Sequence, residues 1–317
     1  MVLKYLAFAL LGAATAGAFQ AYHFLTGRHA LLDQRDKLRL QSRSLAAWDA
    51  HCAARPKGSA IIVCLTTTPS RISRLDATLK SLLYQTCRPQ AIRLHIPDFS
   101  RREQVAYQIP AALRHLTCIE LVRCADRGPA TKLLPALEAF NSEQKLLVVD
   151  DDRLYPPDLI STFEQWSHAL PHAALGLSGW RVPRDLTDRP VTLLNNIRQI
   201  PPAPLKSTRL RQPQPVDILM GYTGYLVRPA FFDLAAVRSY VGAPDAAFYV
   251  DDVWISAHCQ VPKYVVPSHR HCFIPRKDWF LHDRTALYRL NNGGGDPQRR
   301  NTTIMLRHFK ARWLATA

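Results

Sequence analysis

The 317-residue sequence contains no C-x-x-C pair, and its seven cysteines are odd in number, so neither a zinc ribbon nor a disulfide framework is expected. Several of these cysteines lie in apolar runs, where a free buried thiol is the expected state. A Gly-rich Walker loop is missing, which removes the main phosphate-cradling signature of a P-loop enzyme. No basic run is interleaved with aromatics and no zinc-finger spacing occurs, so nucleic acid is not an expected partner. Internal repeats are absent too, which excludes solenoids and propellers. Acidic residues are scarce, with 25 Asp and Glu against 41 Lys and Arg, for a net charge of +16. That balance suits an anionic lipid surface or a phosphorylated small molecule. A composition of 47% hydrophobic and 21% charged residues fits one large α/β domain or two small ones.

The scarce carboxylates are concentrated. Leu146-Leu147-Val148-Val149 runs straight into Asp150-Asp151-Asp152-Arg153, followed by Tyr155-Pro156-Pro157. A buried strand ending in adjacent aspartates is costly unless cations sit among them, because like charges raise one another's pKa. A divalent metal is the simplest relief, and hard oxygen donors without a nearby thiol favour magnesium or manganese over zinc. Ligands of open α/β sheets bind at the carboxyl ends of the strands, and a diphosphate is the natural companion of such a metal. Solvated turns and helix caps are the bland alternative for an Asp cluster.

The stretch from Tyr5 to Leu25 carries no formal charge, and about 20 apolar residues suffice to span a bilayer. It is expected as an uncleaved anchor over residues 1–27. A cleaved signal peptide ending at Ala16-Gly17-Ala18 is the alternative. Arg28, Arg35, Lys37, Arg39 and Arg43 follow the segment, so the positive-inside rule places the rest of the chain in the cytoplasm. A lumenal type II arrangement, in which the Asn301-Thr302-Thr303 sequon is usable, stays open. Residues 28–58 read as a polar helical stalk, and 59–317 as the main folded domain.

Within 59–317 strands and helices alternate. Ile61–Leu65, Ala91–Pro97, Cys118–Arg123 and Lys145–Val149 are predicted strands, with helices over Arg74–Tyr84, Ala130–Phe140 and Pro157–His168. The expected fold class is therefore α/β, with a mainly parallel central sheet, helices on both faces and an N-terminal transmembrane helix. Asp185–Pro215, rich in Pro and Arg, reads as a long functional loop. A predicted helix over Thr303–Leu314 closes the chain.

Asp150 and Asp152 are the candidate metal ligands, with Asp151 supporting them or touching a ribose. Tyr249-Val250-Asp251-Asp252-Val253-Trp254 sets a second acidic pair in an apolar frame. Asp252 or Asp251 can serve as general base or stabilise charge on a sugar ring. A helix N-cap is the alternative role for Asp252. Lys132 and Arg71 are candidate diphosphate or nucleoside contacts. Among the late histidines His269, His271 and His282, His271 is the preferred third metal ligand.

Four segments occur in order: Leu65-Thr66-Thr67-Thr68-Pro69-Ser70-Arg71-Ile72, Asp126 to Leu134, Val149 to Asp152, and Tyr249 to Trp254. Their order and character resemble GT-A fold glycosyltransferases with a D-x-D motif, of the family-2-like or exostosin-like kind. The resemblance implies a nucleotide-diphospho-sugar donor, often a UDP-sugar, with Mn2+ or Mg2+. It implies hexosyl or N-acetylhexosaminyl transfer to a glycan or lipid-linked acceptor at a membrane. It places Thr66, Thr67 and Arg71 at the nucleoside pocket and Lys132 near the donor, and matches Asp150 and Asp152 to the D-x-D. A metal-dependent nucleotidyl- or phosphotransferase, or a non-catalytic nucleotide-sugar-binding protein, are the rival readings.

Overall fold

The computed structural model describes residues 2–275, 287–291 and 293–313. Its centre is an eight-stranded sheet. In chain order the strands are β1 (Ile62–Thr66), β2 (Ala91–Pro97), the short hairpin β3 (Phe99–Ser100) and β4 (Val105–Ala106), β5 (Ile119–Cys124), β6 (Leu146–Val148), β7 (Ala174–Gly176), β8 (Ser178–Trp180), β9 (Leu205–Lys206), β10 (Gln214–Pro215), β11 (Ile218–Leu219), β12 (Tyr225–Val227) and β13 (Lys263–Val265). The central sheet runs β10-β13-β7-β12-β6-β1-β2-β5. β6, β1, β2 and β5 are parallel neighbours, β12 is antiparallel to β6 and β7, and β13 is parallel to β7. A smaller sheet, β11-β8-β9, flanks it.

The central strands β1 and β6 are buried on both faces, which is why they read as continuous apolar runs rather than alternating ones. In β1, Ile62 and Cys64 join one core cluster while Val63 and Leu65 join the other. In and after β6, Leu146 and Val148 face the first cluster, Leu147 and Val149 the second. Helices α4 (Asp76–Leu83) and α7 (Leu159–Ala169) cover the second cluster. Helices α6 (Leu134–Ala139), α9 (Leu234–Arg238) and α10 (Asp251–His258) cover the first. Pro135 is tolerated in the first turn of α6, where a backbone N–H has no helical partner anyway.

From β1 the chain proceeds to β2 and β5 on one side, while β6 returns on the other side of β1. That reversal opens a crevice at the carboxyl ends of β1 and β6. Ile62 pairs with Leu146 and Cys64 with Val148, so Thr66 and Thr67 come level with Asp150 and Asp151.

The N-terminal expectations need two corrections. Residues 2–26 form a helix, α1 (Val2–Thr26), yet no helix among the described residues is long and apolar enough to cross a membrane. Ala, Gly and Thr dilute its middle, and Gln20 and His23 interrupt its end. The single-pass anchor, and the cytoplasmic placement derived from it, are overturned. Residues 28–58 do not form a free stalk. They fold into α2 (Ala30–Gln41) and α3 (Leu45–Ala53), which pack beside α4. Trp48 is 1% exposed, and the Asp49 carboxylate accepts from Thr117 N and Cys118 N at 2.7 and 2.8 Å, just ahead of β5. Arg270 pairs with the buried Asp33 and Asp36 of α2.

The expected loop over Asp185–Pro215 contains a short helix, α8 (Leu193–Arg198), as well as β9 and β10. The predicted terminal helix runs Asn301–His308, and the Asn301 side chain of the sequon donates to Asn291 Oδ1 at 2.9 Å. All seven cysteines are free.

Candidate active site

A cleft of about 550 Å³ opens at the crevice between β1 and β6, within the size range of small-molecule sites. Thr66, Thr67, Arg71, Lys132, Asp150, Asp151, Asp152, Asp251 and Asp252 all line it. Of the residues singled out in the sequence, only the histidines are elsewhere. His271 is buried away from the cleft lining. Its Nε2 lies 2.8 Å from Ser207 Oγ, and burial lowers its pKa to about 3. His269 is exposed, and His282 lies outside the described residues. His271 is therefore not brought to the aspartates, and its proposed place as third metal ligand is corrected.

The carboxylates reach the cleft because β6 ends there, and they are held by specific partners. Arg71 Nη2 lies 3.0 Å from Asp151 Oδ1 and 2.5 Å from Asp152 Oδ2. Arg153 Nε lies 3.2 Å from Asp152 Oδ1. Thr67 Oγ1 donates to Asp151 Oδ2 at 2.6 Å, and Thr78 Oγ1 to the Asp151 carbonyl at 2.8 Å. The Asp150 N–H donates to Tyr155 OH at 2.8 Å, and that hydroxyl donates on to Tyr222 O at 3.2 Å.

Lys132 arrives on the single 3-10 turn Ala130–Lys132. Its Nζ lies 2.7 Å from Asp150 Oδ1 and 2.9 Å from Asp251 Oδ2. The turn depends on Gly128, whose φ is +62° and where an added Cβ would stand 2.2 Å from Phe248 O. Asp251 and Asp252 open α10, but neither side chain caps it. Asp252 Oδ1 instead accepts from Gly221 N at 3.0 Å, which decides against the N-cap role.

Burial disfavours charge here, and neighbouring charges either oppose or reinforce it. Burial would lower Lys132, but Asp150, Asp251 and Asp252 outweigh it and hold the ammonium well above its ordinary value. Burial first, and Asp251 second, raise Asp252 well above the carboxylate range against the pull of Lys132. Burial also raises Asp151, opposed by Arg71. The crowding of like charge expected from the sequence is thus present, and Arg71, Lys132 and Arg153 relieve part of it from within the chain.

Among the described residues, no group of three His, Cys, Asp or Glu side chains converges as a preformed metal site. Asp150 offers hard oxygen to the cleft, with its side chain 30% exposed, whereas Asp152, 14% exposed, faces Arg71 and Arg153. Magnesium is commonly held by one or two carboxylates, completing its shell with water and phosphate oxygens. A hard cation at these carboxylates would need water or phosphate oxygens to complete its shell.

Several cleft residues escaped the sequence reading. Tyr107 donates from its hydroxyl to Thr67 O at 2.8 Å, and its position after the hairpin gave no local signal. Gly221 approaches so closely that a Cβ there would stand 2.6 Å from Lys132 Nζ. Arg153 was readable in principle, as the cation directly after the triplet. The Thr66 hydroxyl, expected toward a nucleoside, is spent on His95 O at 2.8 Å.

No family model and no curated protein matches the chain. Among solved structures it is similar to residues 1–349 of TarS from S. aureus, at 14% identity and TM-score 0.44 over 80% of this chain and 71% of that one. It is also similar to the mannosyltransferase PcManGT from Pyrobaculum calidifontis, solved with GDP-Man and Mn2+, at 16% identity and TM-score 0.38 over 94% and 80% of the two chains. A 4-diphosphocytidyl-2C-methyl-D-erythritol synthase matches at 10% identity and TM-score 0.39 over 72% of this chain and 96% of that one. These are distant likenesses of backbone path. Function has to be read from the site.

Proposed function

We propose that this protein is a GT-A-like, metal-dependent glycosyltransferase that moves a sugar from a nucleotide-diphospho-sugar to an acceptor hydroxyl of a glycan or lipid-linked saccharide. The observation that carries the reading is the convergence, in one cleft at the strand-order reversal, of the Asp150–Asp152 carboxylates, the Asp251–Asp252 pair and the cations Arg71 and Lys132.

Glycosyl transfer breaks the bond between the anomeric carbon and the diphosphate oxygen and forms one to the acceptor oxygen. Negative charge grows on the leaving diphosphate, and fixed cations in a partly dry cleft stabilise it without reorganising. Arg71, Lys132 and Arg153 are among the cations that line the cleft and can take that role. Asp150 and Asp152 would hold a magnesium or manganese ion, which supplies further charge neutralisation at the diphosphate. Asp151, anchored by Thr67 and Arg71, keeps the loop after β6 in place and would border the ribose of the donor. Asp252 takes the acceptor proton. Its raised pKa makes it a stronger base than an ordinary carboxylate once ionised. Asp251 holds Lys132 beside it.

The test is calorimetric titration of the full chain with UDP and GDP, with and without Mn2+, against Asp152→Ala. Micromolar binding that needs both metal and Asp152 supports the donor site. A folded protein that binds no nucleoside diphosphate overturns it. Turnover of a nucleotide sugar should release a nucleoside diphosphate; release of pyrophosphate from a nucleoside triphosphate would instead favour nucleotidyl transfer.

A further inference from the structure

Exposed apolar side chains are ordinary when scattered and informative when gathered. Val191, Leu193, Leu194, Ile197 and Ile200 are all exposed, Leu193 by 69% and Leu194 by 54%. Three of them ride on α8. This helix is pinned rather than loose. Arg209 Nη1 donates to the Asn196 and Ile197 carbonyls at 2.8 and 3.1 Å, and Lys206 Nζ to Asn196 Oδ1 at 2.9 Å. The same two cations reach the Leu25 and Phe24 carbonyls at the end of α1. Side chains of Phe24 and Leu25 there are themselves 46% and 37% exposed. The fold therefore grips α8 by its polar backbone end and leaves its apolar side chains outward.

Two further observations say what covers this lip. It is continuous with the cleft, because Val191 belongs to both, and Pro202 and Pro204, just after the lip, line the cleft. Its charged flank is of one sign. Arg198, Lys206, Arg209 and Arg211 lie within and just after it, and neither Lys206 nor Arg209 has a carboxylate partner among the described residues. The nearby acids are already engaged, Asp185 by Arg189 and Asp188 by Arg300. Helix-end carbonyls account for where the two cations sit, but carry only partial charge.

We propose that the acceptor is amphipathic, a saccharide joined through a phosphate to a hydrocarbon chain. The chain lies along the Val191–Ile200 lip, the phosphate meets the basic flank at Arg209, and the sugar enters the cleft. This rests on the glycosyl-transfer reading above and names its acceptor class.

The test uses the full chain and three probes by calorimetry: dodecyl phosphate below its micellar concentration, ethyl phosphate, and UDP with Mn2+. The triple variant Leu193→Ser, Leu194→Ser, Ile197→Ser alters only exposed positions, and its melting temperature checks folding. Dodecyl phosphate should bind the native protein about tenfold tighter than ethyl phosphate, the effect of roughly two buried methylenes. The triple variant should erase that difference and leave UDP binding unchanged. Equal binding of the two phosphates, or equal binding of dodecyl phosphate by native protein and variant, overturns the proposal. Capture by phosphatidylglycerol vesicles without binding of monomeric dodecyl phosphate also overturns it, assigning the lip to a bilayer surface. A dimer lost in the triple variant would assign it to a second copy of the chain. Should UDP fail to bind while dodecyl phosphate still binds through the lip, the donor reading falls and the chain-binding lip stands.

Discussion

Lys132 Nζ stands 2.7 Å from Asp150 and 2.9 Å from Asp251, so one buried ammonium ties the carboxylate after β6 to the first residue of α10. Two acidic segments a hundred residues apart in the chain become one electrostatic unit through it. Removing the ammonium would strand two carboxylates in a place already hostile to charge.

Lys132→Met should therefore lower unfolding stability by about 3–5 kcal/mol, the usual loss when one partner of a buried pair is removed. Urea denaturation measures it. Adding Asp251→Asn to Lys132→Met should recover part of the loss, because the stranded charge is removed with it. A double variant as unstable as the sum of the two singles would deny the coupling.

A chain truncated to begin at Ser59 should be markedly less stable than one beginning at Ala30. Truncation removes Trp48, which fills the core beside α4, and a buried aromatic is worth about 3–5 kcal/mol. It also strips the Asp49 caps from Thr117 and Cys118. Equal thermal midpoints for the two chains would restore the stalk.

Acid should weaken the fold from about pH 6.5 downward. Burial is the main cause that lowers His95 and His258 to about 4 and His271 to about 3. Below pH 6.5 the unfolded chain takes up protons that the folded chain refuses, so stability present above that pH is lost as pH falls toward 4. Urea midpoints at pH 7.5 and 5 read the effect, and His271→Gln should make the drop shallower.

Asp252 carries the opposite sign. Its folded pKa is raised, so its contribution to stability is complete below the ordinary value near 4 and is lost as pH rises through the folded value. The same ionisation creates the proposed base. Turnover should climb with pH above the ordinary carboxylate range, and Asp252→Asn should abolish that limb while binding nucleoside diphosphate as before. An unchanged pH profile in the variant would remove Asp252 from the proton-accepting role.

Gly128→Ala should damage the cleft from outside it. With φ at +62° and Phe248 O only 2.2 Å from the new methyl carbon, the turn has to shift, at about 1–3 kcal/mol for the strained backbone alone. Thermal melting and UDP titration should both deteriorate, since the turn delivers Lys132. A variant that melts and binds like the native chain would show that the turn tolerates the change.

Strands Ile62–Thr66 and Leu146–Val148 were legible because fully buried strands form continuous apolar, β-branched runs, whereas Ala91–Pro97 was legible from its alternation and Ile119–Cys124 from apolar residues set between Glu120 and Arg123. The aspartate triplet was legible for the same reason: carboxylates directly after such a run must leave the core at a strand end. What could not be read was pairing. Nothing local to Tyr107, Gly221 or Thr78 announces that each meets the site across a long stretch of chain. His271 misled because an imidazole between apolar runs looks the same whether it ligates a metal or bonds to Ser207. The anchor expectation fails because a charge-free run is not necessarily an apolar one, and Ala, Gly and Thr add little hydrophobicity per residue.

The sequence by itself determined that this chain builds an α/β sheet and that its few carboxylates are delivered at strand and helix ends, since periodicity and charge are local properties. Tertiary structure alone decided which cations answer those carboxylates, that residues 28–58 belong to the core, and that α8 turns its apolar side outward. Each of these depends on contacts between segments remote in sequence, where sheet order and burial set the distances and the local environment sets the charge.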